Sequence, residues 1–266
     1  SLASELEASD TSDVLLVGER HDDLVGHAVE RELFRGALER AGRAAPPRDV
    51  VLSLEMFERD VQIVVDEYLA GLISEEHFIQ SARAWDEYRI HYRQLVELAK
   101  ERGVPVVAAN APRRYVNLVA ERGPAALEEL SDAAKAWLPP LPYPPASDRY
   151  RAEWERVMAQ AADSSERHDA DLGSYALDAQ ALWDAAMGHA IALALVRDLG
   201  ALVLHVAGSF HIAHGTGIPE RIVDYRPGTR VTTVVIEPAD DPAAWDPGAH
   251  AGLADFVVLT ATRARL

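Results

Sequence analysis

The chain has 266 residues, with 43 Asp and Glu against 26 Lys and Arg, a formal net charge of −17, and no cysteine. That length suits one large domain or two small ones and can bury a sizeable core, and 48% hydrophobic with 7% aromatic residues is a globular composition. The acidic balance disfavours nucleic-acid phosphates and anionic membrane surfaces as partners, and the missing cysteine excludes disulfides, thiolate zinc, iron–sulfur clusters, a cysteine nucleophile and c-type haem attachment.

From the N-terminus, SLASELEASDTSD is polar and acidic, unlike the basic start and apolar middle of a signal peptide. A cytoplasmic protein is expected, or a secreted or anchored one if the N-terminus was trimmed, since the first residue is Ser1. The longest apolar stretch, 190–196, is far short of the roughly 20 residues of a membrane span, so none is expected.

Four Val/Leu-rich runs, 14–17, 50–54, 104–109 and 202–207, are nearly continuous in hydrophobicity, as strands covered on both faces are. Helical spacing fills the intervals: 24–40, 61–70, 75–82, 92–102 and 114–120, with Gly71, Gly103, Gly123 and Gly200 at helix stops. Further strands are expected at 231–236 and 256–259. The pattern predicts an α/β fold: a parallel-rich central sheet with helices on both faces. PPLPYPP at 139–145, five prolines in seven residues, forms a stiff extended linker. Helical patterns follow it at 150–162 and 175–199. The whole chain is therefore expected to be a single domain, 1–266, with a helical insertion at about 124–199.

The chemistry falls just after the strands, where open parallel sheets bind ligands. The first delivers Glu19-Arg20-His21, the second Glu55, the third Asn110 and Arg113, and the fourth Ser209-Phe210-His211 with His214 beyond. Two Glu on neighbouring strands raise each other's proton affinity and suit acid and base roles, or share a metal. His21 and His211 titrate in the useful range, as proton relays or metal ligands, and Arg113 suits a carboxylate or oxyanion. Glu19, His21, Glu55 and His211 are thus the candidate catalytic residues, and the metal ligands if a divalent ion binds. Their spacings do not match a metalloprotease helix, and no phosphate-loop or dinucleotide spacing follows the first strand. Ser209 lacks a nucleophile-elbow frame. Gln180, Asp184 and Met187 share one helical face that would roof the pocket, and Trp85, Tyr88 and Tyr92 would line it, although core packing explains such residues as well. His205 is expected in the core. His27, His77, His168 and His250 carry no functional signal.

The blocks LLVGERHDDLVGH, VLSLEMFERDVQ, VPVVAANAPR, QALWDAAM and HVAGSFHIAHGTGIPERI resemble, in order, those of the ChaN-like haem-binding uptake family, within the superfamily of erythromycin esterases and TIKI- and TraB-type proteins. The resemblance runs from about residue 14 to 236. It implies their α/β fold and divided functions: hydrolysis by strand-end Glu and His, metal-dependent peptidase activity, or haem binding by surface lipoproteins. By position, Glu19 and His21 match the first-strand motif, Glu55 the second, His211 the late Gly-x-x-His, and Asn110 and Arg113 the Asn-Ala-Pro-Arg block. Tyr88, His91 and Tyr92 fall where haem contacts would be sought. The anchor cysteine of such lipoproteins is missing here.

The leading expectation is a soluble enzyme doing acid–base chemistry on a small organic or peptide-like substrate, by hydrolysis, elimination or cyclisation, with no cofactor or one divalent metal. The alternative is a non-covalent haem-binding protein. An inert fold whose strand-end carboxylates only satisfy backbone groups is a third reading, and a homo-oligomer stays open.

Overall fold

The computed structural model describes residues 12–163 and 174–262. His168 and the acidic N-terminal segment to residue 11 lie outside the described residues. Six strands form one all-parallel sheet: β1 (Val14–Glu19), β2 (Val50–Glu58), β3 (Val106–Asn110), β4 (Leu202–Gly208), β5 (Val231–Ala239) and β6 (Phe256–Ala261). Their order is β3-β2-β4-β1-β5-β6, so β1 lies between β4 and β5 although β4 follows it by nearly two hundred residues.

β1, β2 and β4 are buried almost throughout, because each contributes side chains to both faces of the sheet. On one face Leu15, Val17, Leu52, Leu54, Leu204 and Val206 pack against Leu33, Phe34 and Ala37 of α1 (Leu24–Arg43). The same core takes in α2 (Gln62–Leu69), α3 (Glu75–Ser81) and α4 (Arg93–Arg102). On the other face Val14, Leu16, Val51 and Val203 meet Met187, Ile191 and Leu195. α5 (Arg113–Arg122) follows β3, and after it come the short α6 (Asp132–Lys135) and α7 (Asp148–Asp163). α8 (Ala176–Arg197) carries the residues of that second face, and α9 (Ile218–Tyr225) packs beside it.

The expected strands and helices are all present, with shifted ends. β3 begins at Val106 rather than 104, since Pro105 has no N–H to donate to the ladder; its carbonyl instead accepts from Leu52 N at 3.0 Å. α7 begins before Tyr150, where Ser147 Oγ accepts the Tyr150 N–H at 3.1 Å. β2 runs on to Glu58 across an irregularity: Leu54 pairs with Ala108 but Glu58 pairs with Asn110, so two extra residues bulge out of β2 at the point where Glu55 lies.

α8 is long and apolar enough by composition to cross a membrane, but it is mostly buried against the sheet and α5. Met187 is fully buried in that packing, which corrects its expected place at a ligand site. Met187→Ala should therefore act as a core truncation and lower unfolding free energy by about 2–5 kcal/mol, as read by urea denaturation.

Candidate functional site

β1 ends in Gly18-Glu19-Arg20-His21 and β4 in Gly208-Ser209-Phe210-His211, the same Gly-x-x-His spacing at the ends of adjacent strands. Each glycine makes room for the other segment. A Cβ on Gly18 would sit 3.0 Å from the Ser209 Cα, and one on Gly208 would sit 3.2 Å from two atoms of the His21 ring. The repeated spacing is legible in the chain itself, and it is the local signal that marks the two histidines as a pair.

Each histidine is held by a carboxylate. His21 Nδ1 is bonded to Glu19 Oε1, and Tyr92 Oη donates to that same oxygen at 3.2 Å. His211 Nδ1 lies 2.5 Å from Asp184 Oδ1, with the Gln180 amide 3.3 Å from both ring nitrogens. Between them stands Glu55. Its Oε2 accepts the Gly208 N–H at 2.7 Å, and its Oε1 is 3.6 Å from His211 Nε2. The β2 bulge puts Glu55 here.

Burial would drive the proton off His211, but the charges of Asp184 and Glu55 outweigh it and push the imidazole up to about 9. Burial likewise opposes the charged form of His21, and the bond to Glu19 reverses it, so its proton affinity is raised. His205, wholly buried, bonds Ser53 Oγ at 2.8 Å and has no carboxylate partner among the described residues. It is pushed down to about 3 by burial and the charge of His211. It is the neutral core histidine expected.

The open cleft above these groups, about 640 Å³, is lined by His21, Glu55, Asn110, Arg113 and His211, with Arg83, Trp85 and Trp183 at its walls. Arg113 is exposed, leans over Trp183, and has no carboxylate partner among the described residues. His21 is half exposed at the mouth, edge-on to Trp85.

Other expected site residues fall elsewhere. Tyr88 is 1% exposed among Phe57 and Phe78, and its hydroxyl has no partner among the described residues. Tyr92 is equally buried and turns its hydroxyl to Glu19, so neither tyrosine offers oxygen to the cleft. Gln180 and Asp184 stand behind His211 rather than facing a ligand. His214, at φ 60°, bonds the Gly252 carbonyl at 3.2 Å and lies outside the cleft. As for a metal, among the described residues the group whose ligand atoms all lie within 4.8 Å of one another is Glu19, His27 and Glu30, which takes in Glu19 of the four expected ligands. Sequence reasoning missed His27 and Glu30. They fall three apart on the inward stripe of α1, the face that also carries Leu33, Phe34 and Ala37, and that stripe was the available signal.

A family model described as haem-binding uptake, Tiki superfamily, ChaN matches residues 6–222. No curated protein matches the sequence significantly. Among solved structures, ChaN of Campylobacter jejuni, described with cofacially bound haem, is similar at a TM-score of 0.69 with 16% identity, over 97% of this chain and 91% of that one. An erythromycin esterase, the EreC mutant in its open conformation, aligns at a TM-score of 0.51 with 11% identity, over 94% and 77%. At these identities the likeness is one of fold.

Asp184→Asn removes the largest charge that holds the proton on His211. The NMR titration midpoint of His211 is expected to fall from about 9 toward the ordinary 6.5. Because the folded value is the raised one, the stability it contributes is full below about pH 6.5 and is lost as pH rises through 9. The Tm gap between wild type and Asp184→Asn should accordingly be widest at pH 6 and shrink by pH 9.5.

Proposed function

The chain belongs to the haem-binding uptake family of the Tiki superfamily, ChaN, and on that premise we propose that its strand-end cleft is an acid–base catalytic site that hydrolyses small organic or peptide-like acyl substrates. The observation that carries this reading is Glu55, set between two histidines that each have a carboxylate of their own. His21 and His211 both favour the proton, so Glu55 is the group in the cleft suited to take one up.

In the proposed reaction Glu55 removes a proton from water as its oxygen bonds the acyl carbon. The His211 imidazolium, oriented through Nδ1 by Asp184, gives its proton to the leaving oxygen or nitrogen as that bond breaks. The 3.6 Å between Glu55 and His211 leaves a short return path for the proton. Arg113 and the Asn110 side chain line the cleft where the acyl oxygen gathers negative charge, and their place is to stabilise it. Trp85 and Trp183 form flat walls for the apolar part of the substrate. Elimination would use the same base and acid without water.

Glu55→Gln and His211→Ala should each retain the wild-type circular dichroism spectrum and lose about 10²–10⁴-fold in kcat on p-nitrophenyl esters or small lactones cleaved by the wild type. Wild-type turnover by both variants would refute the reading. The basic limb of the kcat/KM profile should lie near pH 9 and move down in Asp184→Asn.

Haem binding through Tyr88 or Tyr92 is disfavoured by the burial of both rings. The half-exposed ring of His21, beside Trp85, is the nitrogen ligand accessible at the cleft mouth. Titration with haem is expected to give no Soret shift that depends on Tyr88 or Tyr92. A saturable shift lost in Tyr92→Phe would restore the haem reading.

A further inference from the structure

Behind the cleft lies a second polar cluster that the acid–base reading does not use. α1 starts at Leu24, capped by Asp23 Oδ1 on the Val25 N–H at 3.0 Å, which places His27 and Glu30 one turn apart on its inward face. Their relative exposures are 1% and 0%, and that of Glu19, beside them at the end of β1, is 2%. Neither Glu19 nor Glu30 pairs with a lysine or arginine among the described residues; their cationic neighbours are histidines alone.

His27 Nε2 sits 3.2 Å from the His21 carbonyl oxygen, a contact only an N–H can make. In the neutral ring that leaves Nδ1 with a lone pair, and Nδ1 faces both oxygens of Glu30, at 3.1 and 3.2 Å. Glu19 commits Oε1 to His21 and Tyr92, while its Oε2 is buried with no partner among the described residues. With the ring in that neutral form, lone pairs from three residues converge; without an ion, the bond to Glu30 raises the proton affinity of His27 against the burial that opposes it. A proton shared by His27 and Glu30 would answer that pair and leave Glu19 Oε2 bare. One dication answers all three: two carboxylates and a neutral imidazole sum to −2.

We propose that Glu19, His27 and Glu30 bind one divalent transition-metal cation of the Mn2+, Fe2+ or Zn2+ class, beneath the cleft and sharing Glu19 with it. Two carboxylate oxygens and one imidazole nitrogen suit such ions, and there is no thiolate to select a softer one. One ligand atom from each residue lies within 4.8 Å of the others. Bonds of about 2.0–2.2 Å span at most about 4.4 Å across an ion, so the donors draw in on loading. The His27 Nε2–H bond to the His21 carbonyl is the outer contact that fixes a metal-bound imidazole in place. It also ties the ion to the cleft, because His21 is joined to the cluster through its backbone at His27 and through its ring at Glu19.

The test uses the full chain, stripped with chelator and titrated calorimetrically with Mn2+ and separately with Zn2+. One ion per chain is expected, with affinity lost at least about tenfold in Glu30→Gln and in His27→Gln and retained in His211→Ala. Electron spin-echo spectra of the Mn2+-loaded wild type should show coupling to a single imidazole nitrogen, a readout independent of whether the variants fold. Absence of stoichiometric binding, coupling to no imidazole or to two, or binding undiminished in Glu30→Gln would overturn the site. Loss in His211→Ala with retention in Glu30→Gln would overturn it too, by assigning the ion to the cleft. Turnover by the Glu55 and His211 variants tests the acid–base reading separately, so either can fail alone.

Discussion

The close parallel pairing of β1 and β4 is the contact on which the rest of the site depends. Gly18 lies beside Ala207 and Glu19 beside Gly208, and the absence of side chains at Gly18 and Gly208 lets the two strand ends run against each other. A Cβ at either position would press on the opposite segment, through the Ser209 backbone or the His21 ring. The sheet is what makes this possible. Only a β1 inserted between β4 and β5 puts the first and the late Gly-x-x-His segments side by side, and the β2 bulge then brings Glu55 to the same edge.

Burial and charge act in opposite directions on the histidines, and the outcome is decided by their partners. His205 and His211 are six residues apart and both buried, yet one is driven to about 3 and the other to about 9. The difference is Asp184 and Glu55, which His205 does not touch. A low-dielectric interior magnifies whichever charge is near, so one fold holds a neutral core histidine beside a protonated one. The net charge of −17 plays no part in this contrast; it is spread over the surface, while the site turns on a few enclosed carboxylates.

α8 does two jobs that are usually separated. Met187, Ile191 and Leu195 pin it to the sheet, and Gln180 and Asp184, earlier on the same helix, reach His211. An almost wholly buried helix is a rigid carrier, which suits a residue whose task is to orient an imidazole. α1 repeats the arrangement on the opposite face, with Leu33, Phe34 and Ala37 packed into the core and His27 and Glu30 turned to Glu19.

The sequence by itself determined the class of fold and the strand ends that bear chemistry. Both are local properties: continuous Val/Leu runs separated by helical spacing report parallel strands, and Glu19, Glu55, Asn110 and His211 follow directly from where those runs stop. Only the tertiary structure decided which ends are neighbours, because strand pairing joins residues up to about two hundred positions apart and leaves no local trace. It decided that Asp184 supports His211 instead of roofing a pocket, since one helical face fits either role until the sheet is in place. It turned Tyr88, Tyr92 and Met187 from candidate ligand contacts into core, because an aromatic or thioether group reads the same in either setting. And it gave His27 a meaning: a histidine and a glutamate on an apolar stripe look like ordinary helix residues until a second carboxylate, 8 residues before the histidine, is folded against them.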